Sequence, residues 1–119
     1  VATSETTTST SYTDLTTTTD TVTATVGNSG IALVFLKAQF QNSGANATYC
    51  SVDVSGATTI AASDTYALMG SPNAVYIGFG IPIFLTGLTA GSTTFKMKYR
   101  VAAGTGTWLY RRISVIPLP

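Results

Sequence analysis

The sequence predicts an all-β protein, an antiparallel β-sandwich of jelly-roll or immunoglobulin-like type with about eight strands. Three observations carry this. Apolar and polar residues alternate with a two-residue period in "TDTVTATVG" and most cleanly in "TTFKMKYRV". Turn-forming clusters recur about every 8–12 residues. No apolar stripe of helical period persists anywhere. The 119 residues fit one domain, 1–119, long enough to bury a core without metal or disulfide staples.

Residues 1–26 are rich in threonine, which is β-branched and favours strands. Mucin-like low complexity is the competing reading. Proline is absent here, however, and Tyr12, Leu15, Val22 and Val26 recur among the threonines. Strands are expected near 2–9 and 20–26, joined by an irregular "SYTDL". "GNSG" is a turn. "IALVFLKAQFQN" begins apolar on both faces and alternates after Lys37, as a central strand does when only one end is covered. "NSGAN" reads as a hairpin loop, with "ATYCSVDVSG" returning.

Residues 57–73 read as short strands and loops; the alanines suggest a helical turn near 61–68, but no stripe supports a helix. "AVYIGFGIPIFL" (74–85) is apolar on both faces and is expected to form a buried strand pair, with Pro82 at an edge or bulge. Gly91 stands where a turn needs positive φ. In the next strand Phe95, Met97, Tyr99 and Val101 point inward, and Lys96, Lys98 and Arg100 outward. "AAGTGT" reads as a hairpin that returns "WLYRRISVIPL". There Trp108 and Tyr110 share one parity and Ile113 and Val115 the other, so a β-bulge is expected near Arg111–Arg112.

Composition narrows the chemistry. Only 9% of residues are charged, and the net charge is +1, which gives no field for nucleic acid or an anionic membrane. The longest apolar run is too short to span a bilayer. The chain has no histidine, so Ser-His and Cys-His devices and most zinc sites are absent. The acids Glu5, Asp14, Asp20, Asp53 and Asp64 are scattered and form no calcium loop. The single cysteine, Cys50, reads as a small buried hydrophobe. Asn46 opens a formal glycosylation sequon that a Thr-rich chain produces by chance. No catalytic, metal or cofactor residue is expected, and the chain is read as non-enzymatic. It shows no signal peptide and no starting Met, so the Met was removed or the chain was cut from a longer polypeptide.

Two groups of residues stand out. Tyr76, Phe79, Ile81, Phe84, Trp108, Tyr110, Arg111 and Arg112 are candidates for a subunit or partner interface. Lys96, Lys98 and Arg100 are candidates for an outer basic face, either solubilising it or pairing with acids of a neighbouring subunit. Arg111 and Arg112 are consecutive, so one should point at the core and be anchored, by an acid across a subunit boundary or by a bulge that turns both outward. Trp108 and Tyr110 beside the glycine-rich loop also suit sugar stacking, which makes a carbohydrate-binding module the alternative function. Low charge and high apolar content predict a homo-oligomer, most simply a trimer.

Three blocks carry a resemblance: "TSETTTSTSYTDLTT…TVTATVGNSGIALVFLKAQFQN", "VSGATTIAASDTYAL" and "LTGLTAGSTTFKMKYRV…GTGTWLYRRISVIPL". Together they resemble a domain of minor tail, tail-fibre and other virion-surface proteins in tailed bacteriophages, especially those infecting actinobacteria. The resemblance implies a β-sandwich on the outside of a virion, oligomeric and often trimeric. It would act in particle assembly or host attachment, as a tail domain or as a capsid decoration protein. The implied partners are its own copies, other virion proteins and a host-surface glycan. It also implies that "R-x-I-x-V-I-P-L" marks a natural C-terminus. It supplies no ligand residues.

Overall fold

The computed structural model describes all residues, 1–119. Eight strands form two four-stranded antiparallel sheets. They are β1 (Glu5–Thr7), β2 (Thr21–Val26), β3 (Ala32–Asn42), β4 (Thr48–Gly56), β5 (Ala67–Gly70), β6 (Ile77–Leu85), β7 (Gly91–Val101) and β8 (Gly106–Pro117). A single 3-10 turn, Asp64–Tyr66, stands where the alanine-rich segment suggested a helical turn. The first sheet runs β1-β8-β3-β6 and the second β2-β7-β4-β5. Strand 1 thus lies beside 8, 2 beside 7, 3 beside 6 and 4 beside 5. This is the order of a jelly roll and not that of an immunoglobulin domain. No helix is long and apolar enough to cross a membrane.

The alternation decides which side of each strand is buried. On β7, Phe95, Met97, Tyr99 and Val101 are fully buried; on β3, Val34, Leu36, Ala38 and Phe40 are. With Val52 and Val54 of β4 and Trp108 and Ile113 of β8 they fill the space between the sheets. Cys50 is in this core, where burial, reinforced by the Asp20 charge, pushes its thiol pKa up and keeps it protonated. Gly91 has φ +135, as its turn requires.

Three expectations are corrected. Neither the 42–46 loop nor the 102–107 loop closes a hairpin, because β3 and β4 belong to different sheets, as do β7 and β8. Both loops are arches across the sandwich, and buried Asn42 ties them together. Its Nδ2 donates to Thr48 Oγ1 and to Ala103 O, both at 3.0 Å, while its Oδ1 accepts the Gly44 amide. Secondly, 74–85 is not a buried strand pair. It supplies one edge strand, β6, paired only with β3, which places Pro82 at an edge. Its inward positions are Ile77, Phe79, Ile81, Ile83 and Leu85, but only Ile83 and Leu85 are fully covered, because β5 opposite is just four residues long. Thirdly, the first strand spans only Glu5–Thr7 of the expected 2–9. The following segment instead crosses to β7, where Thr13 and Tyr99 exchange backbone hydrogen bonds and Val101 N donates to Ser9 O.

Candidate functional site

The chain concentrates its charge chemistry at three places. The first is inside. The expected bulge lies on β8, where the register with β3 slips between Lys37 and Gln39, and Tyr110 takes φ +49. The extra residue reverses the parity, so Trp108, Arg111 and Ile113 all point inward while Arg112 points out. The bulge therefore does not turn both arginines outward, the second of the two expected arrangements, and Arg111 is anchored in the core. Its partners are not across a subunit boundary. They are Glu5 and Asp20 of the same chain: Nη2 donates to Glu5 Oε2, and Nη1 donates to Asp20 Oδ2 at 3.1 Å. Tyr99 donates its hydroxyl to the same Asp20 oxygen, and the guanidinium lies 5.2 Å from the Tyr99 ring centroid. Glu5 Oε1 accepts the Thr17 amide at 2.6 Å.

This cluster joins β1, the residue before β2, β7 and β8, so both sheets and the N-terminal crossing segment meet on one guanidinium. One cation faces two carboxylates, and Arg111 Nε has no partner. Burial, together with the Asp20 charge, drives the Tyr99 hydroxyl pKa far above its ordinary value, so it stays a donor. Chemically the arrangement is a clamp. Both carboxylates are held by Arg111.

The second place is the outer face of the second sheet. Lys96, Lys98 and Arg100 do share that face, but it is not a basic one. Lys96 and Lys98 grip the two oxygens of Asp14, each at 3.0 Å. Arg100 Nε donates to Asp64 Oδ1 at 3.0 Å, and its guanidinium lies 3.9 Å from the Tyr49 ring centroid. Tyr12 donates to the same Asp64 oxygen. The acids again come from this chain and not from a neighbour.

Burial would raise the Asp14 carboxyl, but Lys96 and Lys98 outweigh it and hold its pKa below the ordinary 3.8. The Arg100 and Tyr12 hydrogen bonds depress that of Asp64 likewise. Depressed carboxylates contribute stability that is present above their unfolded value and lost as pH falls through the folded one. The melting temperature is therefore expected to fall as pH drops below 3.8, and to fall less steeply in a Lys98→Gln, Arg100→Gln variant. The difference will be small, since exposed pairs are worth about 0–1 kcal/mol each. Parallel acid limbs in the two proteins would refute the assignment.

The third place is the outer face of the first sheet. Leu33 lies directly between Phe84 and Ile116, and Phe35 directly between Pro82 and Ser114. Phe84 is 58% exposed, Ile116 51% and Phe35 40%. Farther along the sheet Lys37 lies between Gly80 and Arg112. Of the interface candidates, Tyr76, Phe79, Phe84, Tyr110 and Arg112 are exposed and Ile81 is half-buried. Trp108 and Arg111 are fully enclosed by the chain itself and offer nothing to a partner. Trp108 packs edge-to-face on Tyr99, with centroids 5.3 Å apart, so it forms no sugar platform with Tyr110. Sequence reasoning missed Phe35 and Ile116, whose exposure follows from the outer row they share with Phe84. No group of three His, Cys, Asp or Glu side chains gathers as a metal site would need.

No protein-family model matches the chain, and comparison with curated proteins gives no significant match.

Proposed function

We propose that the chain is a non-enzymatic structural subunit that works by self-association, on the surface of the bacteriophage virion that the sequence resemblance implies. The observation that carries self-association is the outer row of the first sheet. Phe84, Leu33 and Ile116 lie side by side on three neighbouring strands, with Phe35 and Pro82 adjoining, on a chain with only 9% charge. Contiguous apolar side chains of this kind mark interaction surfaces more often than single exposed ones do. The jelly roll recurs in viral capsid and lectin domains, which supports the virion reading by analogy of fold. In a virion the subunit would serve as a tail-surface domain or as a capsid decoration protein. The carbohydrate-binding alternative loses the platform expected of it, because Trp108 is buried.

The test is solution mass by analytical ultracentrifugation at micromolar concentration. The wild-type chain is expected to be a homo-oligomer, with a trimer the simplest outcome. Phe84→Lys, which places a charge in the apolar row without touching the core, is expected to give monomer with an unchanged melting curve. A monomeric wild type overturns the proposal.

A further inference from the structure

Four of the six cations are neutralised within the chain: Lys96 and Lys98 by Asp14, Arg100 by Asp64, and Arg111 by Glu5 and Asp20. Lys37 and Arg112 form no ion pair, yet they are direct cross-strand neighbours on β3 and β8, both exposed on the outer face. Facing residues have Cβ atoms roughly 4.5–5.5 Å apart, and like charges placed so are destabilising. Protection of a sheet edge does not account for them, because β3 and β8 are the two central strands of their sheet. On the other side of Lys37 stands Gly80, so no side chain there screens the pair.

A second feature lies at the same spot. The bulge holds Tyr110 at φ +49, a left-handed conformation unusual for a bulky residue. Tyr110 is exposed and lines a shallow cleft of about 240 Å3 together with Lys37, Arg111, Arg112, Val1 and Ala2. No acid lines this cleft. Strain and bulges concentrate where a side chain is re-aimed for function.

We infer that this cleft binds the carboxylate-bearing residue of an acidic glycan, with Lys37 and Arg112 sharing the carboxylate and the Tyr110 ring carrying a face of the sugar. An arginine fork and an ammonium suit a planar carboxylate. The cleft is smaller than the roughly 300–1,000 Å3 of pockets that enclose larger ligands, so it takes one ring. A second copy of this chain is a poor donor of the anion. Its only acidic side chain outside an ion pair is Asp53, which lies on the other sheet and accepts the Ala62 amide at 3.3 Å. An acidic peptide would be read by cations repeated along a groove, whereas this cleft offers one exposed pair of cationic side chains and one ring. The inference is independent of the self-association proposed above.

The experiment is titration of the full chain, followed by NMR chemical shifts, with glucuronate and N-acetylneuraminate as probes and glucose, acetate and polyglutamate as comparisons. At least one sugar acid is expected to bind saturably and more tightly than acetate, with glucose silent. Lys37→Gln and Arg112→Gln should each weaken binding about tenfold, the loss of one charge-assisted hydrogen bond. Tyr110→Asn suits the left-handed backbone; it should keep the melting temperature and reduce sugar-acid binding to the acetate level. The inference is overturned if neither sugar acid saturates, if acetate binds as well as they do, if the Gln variants bind unchanged, or if polyglutamate binds more tightly.

Discussion

Arg111→Ala is expected to lower folding stability by about 3–5 kcal/mol, the range for removing one partner of a buried ion pair. Glu5 and Asp20 would then remain in the interior with no cation, Asp20 keeping only the Tyr99 hydroxyl and Glu5 only the Thr17 amide. In a domain of this size that corresponds to a fall in melting temperature on the order of 15 °C. Lys98→Ala, which loses one exposed contact to Asp14, should cost about 0–1 kcal/mol. Combining Arg111→Met with Glu5→Gln and Asp20→Asn separates charge from packing. Removing the charges together should restore much of the loss, since buried ionic groups replaced as a set are often neutral. Equal melting of Arg111→Ala and Lys98→Ala would show that the cluster organises nothing.

That an arginine of this pair could face the core was legible in the sequence, because consecutive residues of a regular strand face opposite sides. A bulge was legible because the apolar parity reverses between Trp108 and Ile113; which way it would turn each arginine was not. Nor was the identity of the partners of Arg111. Glu5 and Asp20 lie 106 and 91 residues away along the chain, and nothing in a threonine-rich stretch distinguishes a buried acid from a solvated one. The alternation on β7 told which side is buried and which is wet, and it placed Lys96, Lys98 and Arg100 together on the outer side. It did not tell which sheet each strand joins. Short loops of Asn, Ser and Gly serve hairpins and arches alike, and here Asn42 holds two such loops together as arches. The exposure of β6 had a legible sign that its apolar content obscured. Its outward positions are Gly78, Gly80, Pro82 and Phe84, so one side is mostly small residues or proline, which suits an edge better than an enclosed pair. Lys37 escaped notice because it stands alone in sequence, and only the pairing of β3 with β8 sets it beside Arg112.

Trp108→Ala is expected to cost about 3–5 kcal/mol, as truncation of a fully buried aromatic does, and the loss should be coupled to Gly106. A Cβ built at Gly106 would fall well inside 3.0 Å of side-chain atoms of both Trp108 and Val101. The indole therefore lies over the start of β8 in space that only glycine leaves free. Gly106→Ala alone should cost about 1–3 kcal/mol, as overpacking does. With Trp108 already reduced to alanine the ring is gone and only the Val101 contact resists. The double variant should then be less destabilised than the sum of the singles, by at least about 1 kcal/mol, within the range seen for touching residues. Trp108→Phe refines the argument. The indole Nε1 is buried without a partner, and an orphaned donor costs roughly 1–3 kcal/mol. Phenylalanine removes that donor while keeping a ring against Tyr99, so this variant should lose far less than Trp108→Ala. Denaturant unfolding of the four proteins of the cycle and of Trp108→Phe measures each term. Additivity of Gly106→Ala and Trp108→Ala would mean that the ring does not rest on the glycine.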